Sequence, residues 1–303
     1  FFFLNLKKFQ NFLKEFFFSI NNILTIFYIG YYKPDILHFS YYNNFLAKYS
    51  NVPYILTVYD LIHEKNKYKK NFFDKKRSIQ NARHIICISK KTRKDLIRLY
   101  KVDKKKISVI YLGTDKVKIG QNKKSKRKKF ILHVGSRDRY KNFNNFIEAY
   151  SKSKYLKNNY EILCFGGGDF KYEEVELFKN LKIYERVKLK QGDDYELKRI
   201  YRNASLFVTV STSEGFGLTP FEAISFGCPV VCSNIEVFKE NLKSCSHFVN
   251  PSNINDIKFG IESVLKNKIK KQKLIKNGFK LVKNFNWNIT TSKTSEIYKK
   301  NLK

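Results

Sequence analysis

The stretch SEGFGLTPFEAISFGCPVV, residues 213–231, decides the fold because it connects two apolar runs through a glycine turn and a helix. Upstream of it, SLFVTVS at 205–211 is apolar and rich in β-branched residues, which is typical of a strand buried on both faces of a parallel sheet. Downstream, Gly227 stands where a helix ends, and PVVCS at 229–233 has the character of a second buried strand. The stretch therefore predicts a βαβ unit in an α/β protein.

Two glutamates flank the glycine turn, and the sequence gives them different interpretations. The order threonine, proline, then glutamate predicts a helix that starts with Thr219 as N-cap and has Glu222 at N3, which would make this glutamate a capping residue. Packing requires no carboxylate at Glu214. Parallel sheets bind ligands at the carboxyl ends of their strands, and Gly215 and Gly217 would let a ligand approach the backbone closely. We therefore expect Glu214 to face a ligand.

The same pattern recurs along the chain and predicts a domain organisation. Further buried strands are predicted at 35–40, 53–60, 84–89, 107–113, 130–136, 161–167 and 186–190, with an edge strand at 247–250. Residues 115–129 are lysine-rich and lack apolar periodicity, which indicates a linker. We predict two doubly wound α/β domains at 1–114 and 130–286, and a C-terminal helix at 287–303 that could pack back on the first domain.

The charge balance is strongly basic, with 60 Lys and Arg against 26 Asp and Glu and a formal net charge of +34. Such a charge could serve nucleic acid, an anionic membrane surface or phosphorylated substrates. The lysines are scattered along the chain, with short clusters such as 123–129, so compositional bias is an equal explanation. No zinc-finger spacing or RNA-binding aromatic signature is present, so nucleic acid is not an expected partner.

Cysteine usage and the N-terminal residues indicate a compartment. The five cysteines are odd in number, and several fall in or beside apolar runs, which predicts reduced core residues and a cytoplasmic protein. Cys228 and Cys232 lack a second ligand pair, so no metal site is expected. Residues 1–30 are apolar, but three lysines interrupt every window that could span a bilayer, which leaves peripheral attachment to the inner face of the cell membrane open. The chain starts at Phe1 and contains no methionine, so we expect a fragment whose true start is missing.

The arrangement of Glu214 and Glu222, followed by GCPVV at 227–231, resembles the E-x7-E donor-site motif of the family 4 retaining glycosyltransferases. VGSRDRYKN at 134–142 is similar to the V-G-x-R…K-N element of that family, and the resemblance covers nearly the whole chain from about residue 31. Other similar segments are CFGGGDF at 164–170, GDDYELKRIYRNASLFVTVS at 192–211, DILHFSYY at 35–42 and TVYDLIHE at 57–64.

The resemblance implies the GT-B fold, in which two Rossmann-like domains face a central cleft. It implies a retaining hexosyltransferase, with mannose as one candidate sugar, that acts in polysaccharide or O-antigen-type biosynthesis. The C-terminal domain would bind a nucleotide-diphosphate sugar and the N-terminal domain a glycan or lipid-linked acceptor, with no metal or other cofactor. The chain departs from the family at Tyr59, where many members carry histidine, and it lacks the first strand and glycine loop expected ahead of residue 1.

The resemblance also implies roles for individual residues. Glu214 would bind hydroxyls of the transferred sugar and Glu222 the ribose. Arg137 and Lys141 would hold the leaving diphosphate, because cations stabilise the charge that develops there, although both could also belong to an ordinary basic loop. The full donor-binding set is Gly135, Gly215, Phe216, Gly217, Leu218, Thr219 and Glu222. The acceptor-side set is His38, Tyr59, Asp60 and His63.

Two other functions remain open at this stage. A nucleotide-sugar epimerase of the same fold would form product without an added acceptor. A non-catalytic, basic relative would bind membranes or polyanions but not nucleotide-sugars. The adjacent pair Asp193 and Asp194 is interpreted as the start of a helix, with an N-cap, and not as a metal-binding D-x-D motif.

Overall fold

The computed structural model describes residues 2–65, 72–114 and 128–302. They form two compact units, unit 1 at Phe1–Ile110 with Ser292–Lys303 and unit 2 at Tyr111–Thr291. The predicted linker at 115–129 and the basic cluster at 123–129 lie outside the described residues except for 128–129.

Unit 1 is built on a four-stranded parallel sheet in the order β1-β2-β3-β4. All five residues of its β2 are buried, as expected for a strand that is covered on both faces. The strands are β1 at Leu37–Phe39, β2 at Tyr54–Val58, β3 at His84–Cys87 and β4 at Ile107–Val109. The helices are α1 at Phe2–Tyr32, α2 at Asn44–Tyr49, α3 at Ile62–Lys65, α4 at Phe72–Gln80 and α5 at Lys90–Tyr100.

Unit 2 is built on a six-stranded parallel sheet in the order β7-β6-β5-β8-β9-β10. Counted within this unit, the order is 3-2-1-4-5-6, which is that of a Rossmann fold. The strands are β5 at Phe130–Val134, β6 at Glu161–Phe165, β7 at Val187–Lys190, β8 at Leu206–Thr209, β9 at Val230–Ser233 and β10 at Ser246–Val249. All the predicted strands are therefore present, and none is longer than the range predicted for it.

Helices complete unit 2 and bury the apolar side chains that form its core, such as Ile131, Phe146, Val208 and Ile261. They are α6 at Phe143–Ser151, α7 at Lys154–Asn159, α8 at Tyr172–Asn180, α9 at Asp194–Asn203, α10 at Leu218–Ser225, α11 at Glu236–Leu242, α12 at Ile254–Lys266 and α13 at Lys268–Val282. A last helix, α14 at Trp287–Asn301, ends the chain, and its residues from Ser292 onward belong to unit 1.

The start of α10 differs from the prediction. The helix begins at Leu218 with Gly217 as its N-cap, at φ 97, so Thr219 lies inside the first turn and is not the N-cap. Proline tolerates the third helical position because the first N–H groups of a helix have no intrahelical partner to lose. Glu222 therefore lies in the second turn, beyond reach of the N-cap. The interpretation of Glu222 as a capping residue is wrong.

The end of α10 follows the prediction. Gly227 has φ 70 and donates its N–H to the carbonyl of Ile224 at 2.8 Å, while Cys228 donates to the carbonyl of Ala223 at 2.8 Å. These two bonds form a Schellman motif, in which a left-handed glycine ends the helix. The cysteines likewise follow the prediction, since all five are buried and form no disulfide.

Candidate active site

The two predicted donor motifs meet at the point where the strand order of unit 2 reverses. From β5 the chain winds to β6 and β7 on one side, and β8 to β10 lie on the other. The loops at 135–142 and 210–217 follow β5 and β8, so both leave the sheet at its carboxyl edge, where open α/β sheets bind ligands. This topology brings together residues that are far apart in the sequence.

Lys141 and Glu214 form an ion pair across this point. Lys141 Nζ donates to Glu214 Oε1 at 2.8 Å, and the two side chains are 22% and 14% exposed. The loops are also joined through the backbone, since Thr212 N–H donates to the carbonyl of Tyr140 at 2.7 Å. Asn142 Nδ2 donates to the carbonyl of Val210 at 3.1 Å. The cation and the carboxylate predicted for the diphosphate and the sugar are thus held side by side.

The glycine-rich turn after β6 packs against the loop after β5. Gly166, Gly167 and Gly168 all have positive φ, at 69, 77 and 75, which favours glycine. A Cβ on Gly167 would lie 2.3 Å from the carbonyl oxygen of Gly135, so only glycine fits at this contact. Gly135, a predicted donor-binding residue, itself has φ 95. Two backbone loops therefore touch directly at the edge of the sheet.

Arg137 fixes this contact. Its Nε donates to Glu174 Oε1 at 2.7 Å, Nη1 to the carbonyl of Gly166 at 3.1 Å, and Nη2 to the carbonyls of Gly168 at 3.0 Å and Asp169 at 2.8 Å. The arginine and glutamate side chains are only 3% and 12% exposed. Its predicted role at the diphosphate stays a prediction, but every nitrogen of its guanidinium has a partner inside the protein. Nothing in the local sequence indicated Glu174, which lies on α8.

The residues around the N-terminus of α10 divide into core and surface. The side chain of Phe216 is buried and stacks on Phe221 with ring centroids 5.0 Å apart, and its carbonyl accepts from Asn241 Nδ2 at 2.9 Å. Phe216 could therefore meet a ligand only through its backbone. Leu218 is exposed, and Thr219 is partly exposed one residue further along the first turn. The N–H groups of this turn and the dipole of the helix suit an anion.

A cavity of about 180 Å³ lies between α9 and α10. Each helix contributes one face, at spacings expected of residues that share a helical surface. From α9 come Asp194, Leu197, Lys198 and Tyr201, from α10 come Leu218, Glu222 and Ser225, and Phe226 follows directly after α10. Gly113, Thr114 and Trp287 complete the lining.

Glu222 faces this cavity and accepts a hydrogen bond from the hydroxyl of Tyr201 at 3.0 Å. Burial, and next the charge of Glu222, raise the pKa of Tyr201 well above its ordinary value, so this hydroxyl stays a donor. The bond orients the carboxylate of Glu222, which sequence analysis interpreted either as a helix cap or as a ligand of the ribose. Tyr201 was missed because a tyrosine on an amphipathic helix carries no local signal for a polar partner. The start of α9 is as predicted, since Asp193 Oδ1 accepts from the N–H of Glu196 at 2.9 Å.

The predicted acceptor-side residues lie in unit 1, in and after its β1 and β2. His38 is fixed on both ring nitrogens, with Nδ1 2.6 Å from the hydroxyl of Tyr298 and Nε2 2.8 Å from Thr57 Oγ1. Burial lowers its pKa, which favours the neutral ring.

The other three follow β2 directly. Tyr59 and His63 are exposed, and Asp60 Oδ1 accepts from the N–H of Ile62 at 3.1 Å. The structure thus brings these three residues together on one segment, whereas His38 is held within the sheet. Their role with an acceptor stays a prediction.

Comparison with known proteins identifies related sequences. Residues 114–281 match the family described as "Glycosyl transferases group 1", and residues 3–118 match "Glycosyltransferase Family 4". The chain is 30% identical over 191 residues to the O-antigen chain mannosyltransferase RfbU of Salmonella typhimurium, covering 62% of this chain and 53% of that protein. It is 24% identical over 237 residues to the O-antigen chain mannosyltransferase B of Escherichia coli, covering 73% and 62%. The chain thus spans about half to two thirds of the length of these curated relatives.

Solved structures share the fold. A glycosyltransferase from Rickettsia africae superposes with a TM-score of 0.71 at 24% identity, covering 93% of this chain and 81% of that one. The Anabaena protein Alr3699/HepE in complex with UDP-glucose superposes with a TM-score of 0.76 at 15% identity, covering 88% and 79%. WaaG, a glycosyltransferase involved in lipopolysaccharide biosynthesis, gives 0.72 at 15% identity, covering 90% and 80%. The predicted GT-B fold class is confirmed.

Proposed function

We propose, from the premise that this chain belongs to the glycosyl transferases group 1 family, that it transfers a hexose from a nucleotide-diphosphate sugar with retention of configuration. The acceptor is a glycan or lipid-linked saccharide of polysaccharide or O-antigen-type biosynthesis. Mannose is the proposed sugar, because relatives from Salmonella and Escherichia are named mannosyltransferases.

The pair of Lys141 and Glu214 is the observation that carries this proposal. Departure of a nucleoside diphosphate needs a cation at the leaving oxygens, and Lys141 Nζ can supply it. The Glu214 carboxylate, 2.8 Å away, can accept hydrogen bonds from sugar hydroxyls. Glu222, held by Tyr201, can accept in the same way from the ribose. We propose that Arg137 supports this site from within, by fixing the glycine-rich turn.

The proposed chemistry needs no metal or other cofactor. A lysine, the N–H groups of a helix N-terminus and the helix dipole together oppose the charge of the diphosphate. On the acceptor side we propose the exposed residues Tyr59 and His63 with Asp60, at the carboxyl end of β2. We propose no nucleic-acid partner.

An anionic membrane surface, at the cytoplasmic face of the cell membrane, is the second proposed partner. The described part of α1 exposes a series of large apolar side chains, among them Phe17, Phe27 and Tyr31, in a protein whose formal net charge is +34. Aromatic side chains with a basic surface suit an interfacial helix. No described helix has the length and apolar character needed to cross a bilayer. Sedimentation with anionic vesicles at low salt, compared with neutral vesicles, tests this partner.

The experiment for the transferase combines a nucleotide-sugar with candidate acceptors and follows the glycosylated product by mass spectrometry. Transfer that requires an acceptor and is lost in Lys141→Ala supports the proposal. A new sugar nucleotide formed without acceptor would identify an epimerase instead. Binding to polyanions or vesicles without any affinity for nucleoside diphosphates would identify a non-catalytic relative.

A further inference from the structure

We propose that Asn142 is a positioning residue for the transfer, because its side-chain amide fixes the loop of Lys141 against the segment that carries Glu214. This inference rests on the proposed function, since it concerns how Lys141 is held in reach of the leaving diphosphate. Asn142 directly follows Lys141, between β5 and α6. It acts through the lysine and not on the substrate.

The backbone of Asn142 turns the chain from the loop into α6. The residue has φ 56 and ψ 33, a left-handed conformation that asparagine adopts more readily than most other non-glycine residues. Its N–H donates to the carbonyl of Arg139 at 2.9 Å and so closes the short 3₁₀ turn at Arg139–Lys141. Lys141 is therefore the last residue of a tight turn whose direction is set at Asn142.

The side-chain amide of Asn142 joins its own loop to two other segments at the carboxyl edge of the sheet. Nδ2 donates to the carbonyl of Val210 at 3.1 Å and to the carbonyl of Pro251 at 2.7 Å. Val210 directly follows β8, and Pro251 is the second residue after β10. An amide nitrogen carries two hydrogens, so one side chain can make both bonds at once.

Lys141 stands between two residues that are each bound to the segment after β8. On one side, the carbonyl of Tyr140 accepts from the N–H of Thr212 at 2.7 Å. On the other side, the amide of Asn142 binds Val210. Glu214 lies on the same segment, two residues after Thr212. The backbone on both sides of the lysine is thus tied to the segment that carries its carboxylate partner.

This anchoring matters because a lysine is a point charge on a flexible four-carbon stem. Only a fixed backbone limits where its ammonium can reach, and a displacement of about 1 Å at a reacting site can cost about a hundredfold in rate. Loss of the amide should therefore reduce what Lys141 contributes to diphosphate binding, although the charge of the lysine remains.

The test is a double-mutant cycle of Asn142→Gly and Lys141→Ala on the full chain, followed by titration calorimetry. Glycine accepts the left-handed backbone, so the change removes the amide with little strain. The probe is whichever of GDP, UDP and ADP binds the parent most tightly. We expect Asn142→Gly to weaken this binding about twofold or more, which is the lower end of the coupling between neighbouring residues, and to have no effect once Lys141 is alanine.

Two further variants control for general effects on the fold. Asn145 Nδ2 donates to the same carbonyl of Pro251, at 2.9 Å, but from within α6, so Asn145→Ala should bind like the parent. Asn142→Ser keeps one hydrogen-bond donor on a shorter side chain and should lie between the parent and Asn142→Gly. Far-UV circular dichroism shows whether each variant is folded.

The outcomes separate this inference from the proposed function. Equal losses of affinity with and without Lys141, or no loss in either background, would overturn the inference. A loss in Asn145→Ala as large as that in Asn142→Gly would also overturn it, because the tie to Pro251 alone would explain both. Failure of both Asn142 variants to fold would make Asn142 a folding residue instead. Failure of the parent to bind any of the three nucleoside diphosphates would contradict the proposed function, and this inference with it.

Discussion

Replacing Arg137 by alanine is expected to destabilise the protein by about 3–5 kcal/mol, the cost of removing one partner from a buried ion pair. The structure explains why this loss of stability should be large for a single substitution. Glu174 would keep a carboxylate that is 12% exposed and has lost its guanidinium, and three backbone carbonyls would lose their donor. The arginine also stacks over the ring of Phe170, with its Cζ 4.9 Å from the centroid.

The assay is urea unfolding followed by far-UV circular dichroism, with GDP and UDP titrations on the same preparations. Arg137→Lys keeps a charge but loses the planar fork, so we expect it to recover only part of the stability. Lys171→Ala is the matched control, because Lys171 makes an ion pair with Asp138 on the same loop but both side chains are more than half exposed. Such surface pairs contribute about 0–1 kcal/mol.

A double-mutant cycle sharpens the measurement. Arg137→Ala combined with Glu174→Gln should be less destabilising than the sum of the two single changes, because the second change removes the stranded charge. The reasoning is refuted if Arg137→Ala unfolds at the same urea concentration as the parent while losing affinity for nucleoside diphosphates. Arg137 would then contact the diphosphate, as its motif indicates, and its hydrogen bonds inside the protein would be dispensable.

Three further predictions concern the site and its support. Glu222→Gln keeps an acceptor for the hydroxyl of Tyr201, so its melting temperature should stay near that of the parent while nucleotide affinity falls by about 1–3 kcal/mol; parent-like affinity by calorimetry would remove Glu222 from the site. Glu214→Gln should lose most turnover but bind the free nucleoside diphosphate as well as the parent or better, because the change frees Lys141 from its ion pair. Lys141→Ala should weaken that binding by about 1.5–3 kcal/mol. Equal binding by the parent and both variants would contradict the roles proposed for Lys141 and Glu214. Burial lowers the pKa of His133 to about 4 from an ordinary value of 6.5, so the unfolded chain takes up a proton at a higher pH than the folded chain does. The free energy of unfolding should therefore fall by about 3 kcal/mol as the pH drops from 6.5 to 4. His133→Phe should flatten this part of the pH profile, and an unchanged slope of unfolding free energy against pH would exclude His133 as its source.

The strands of this protein could be predicted because a strand that is buried on both faces consists of a short, continuous run of apolar residues. Runs such as PYILTVYD at 53–60 and SLFVTVS at 205–211 need no distant information to be recognised. The start of α10 could not be predicted in the same way. Thr219 and the proline after it permit a helix start, but so does Gly217 with positive φ, and local preferences do not rank the two. The ring of Phe238 favours the start at Gly217, because the ring lies 2.6 Å from where a Cβ on this residue would stand and so requires glycine there.

The contacts of the candidate site also divide into those that the sequence could predict and those that depend on distant residues. The meeting of Lys141 and Glu214 could be anticipated, since each follows a predicted strand and parallel strands present their carboxyl ends at one edge. The partners of Arg137 could not, because Glu174 is 37 residues away on α8 and nothing near it in the sequence indicates a buried carboxylate.

The loop after β5 shows why cations in this chain must be judged by what they contact. In a protein with 60 lysines and arginines, the presence of a basic residue in a loop says little about ligands. Arg137 and Lys141 stand in one motif, yet the first turns back against the β6 loop and donates to backbone carbonyls, for which a forked, planar donor is suited. The second extends to the β8 loop, where its partner is a carboxylate at the ligand-binding edge of the sheet. In the proposed site, a diphosphate would compete with the carboxylate of Glu214 for the Nζ of Lys141. Competition of this kind predicts that the ion pair re-forms as the diphosphate leaves, so one contact would serve both to hold the empty site in shape and to speed release of the product.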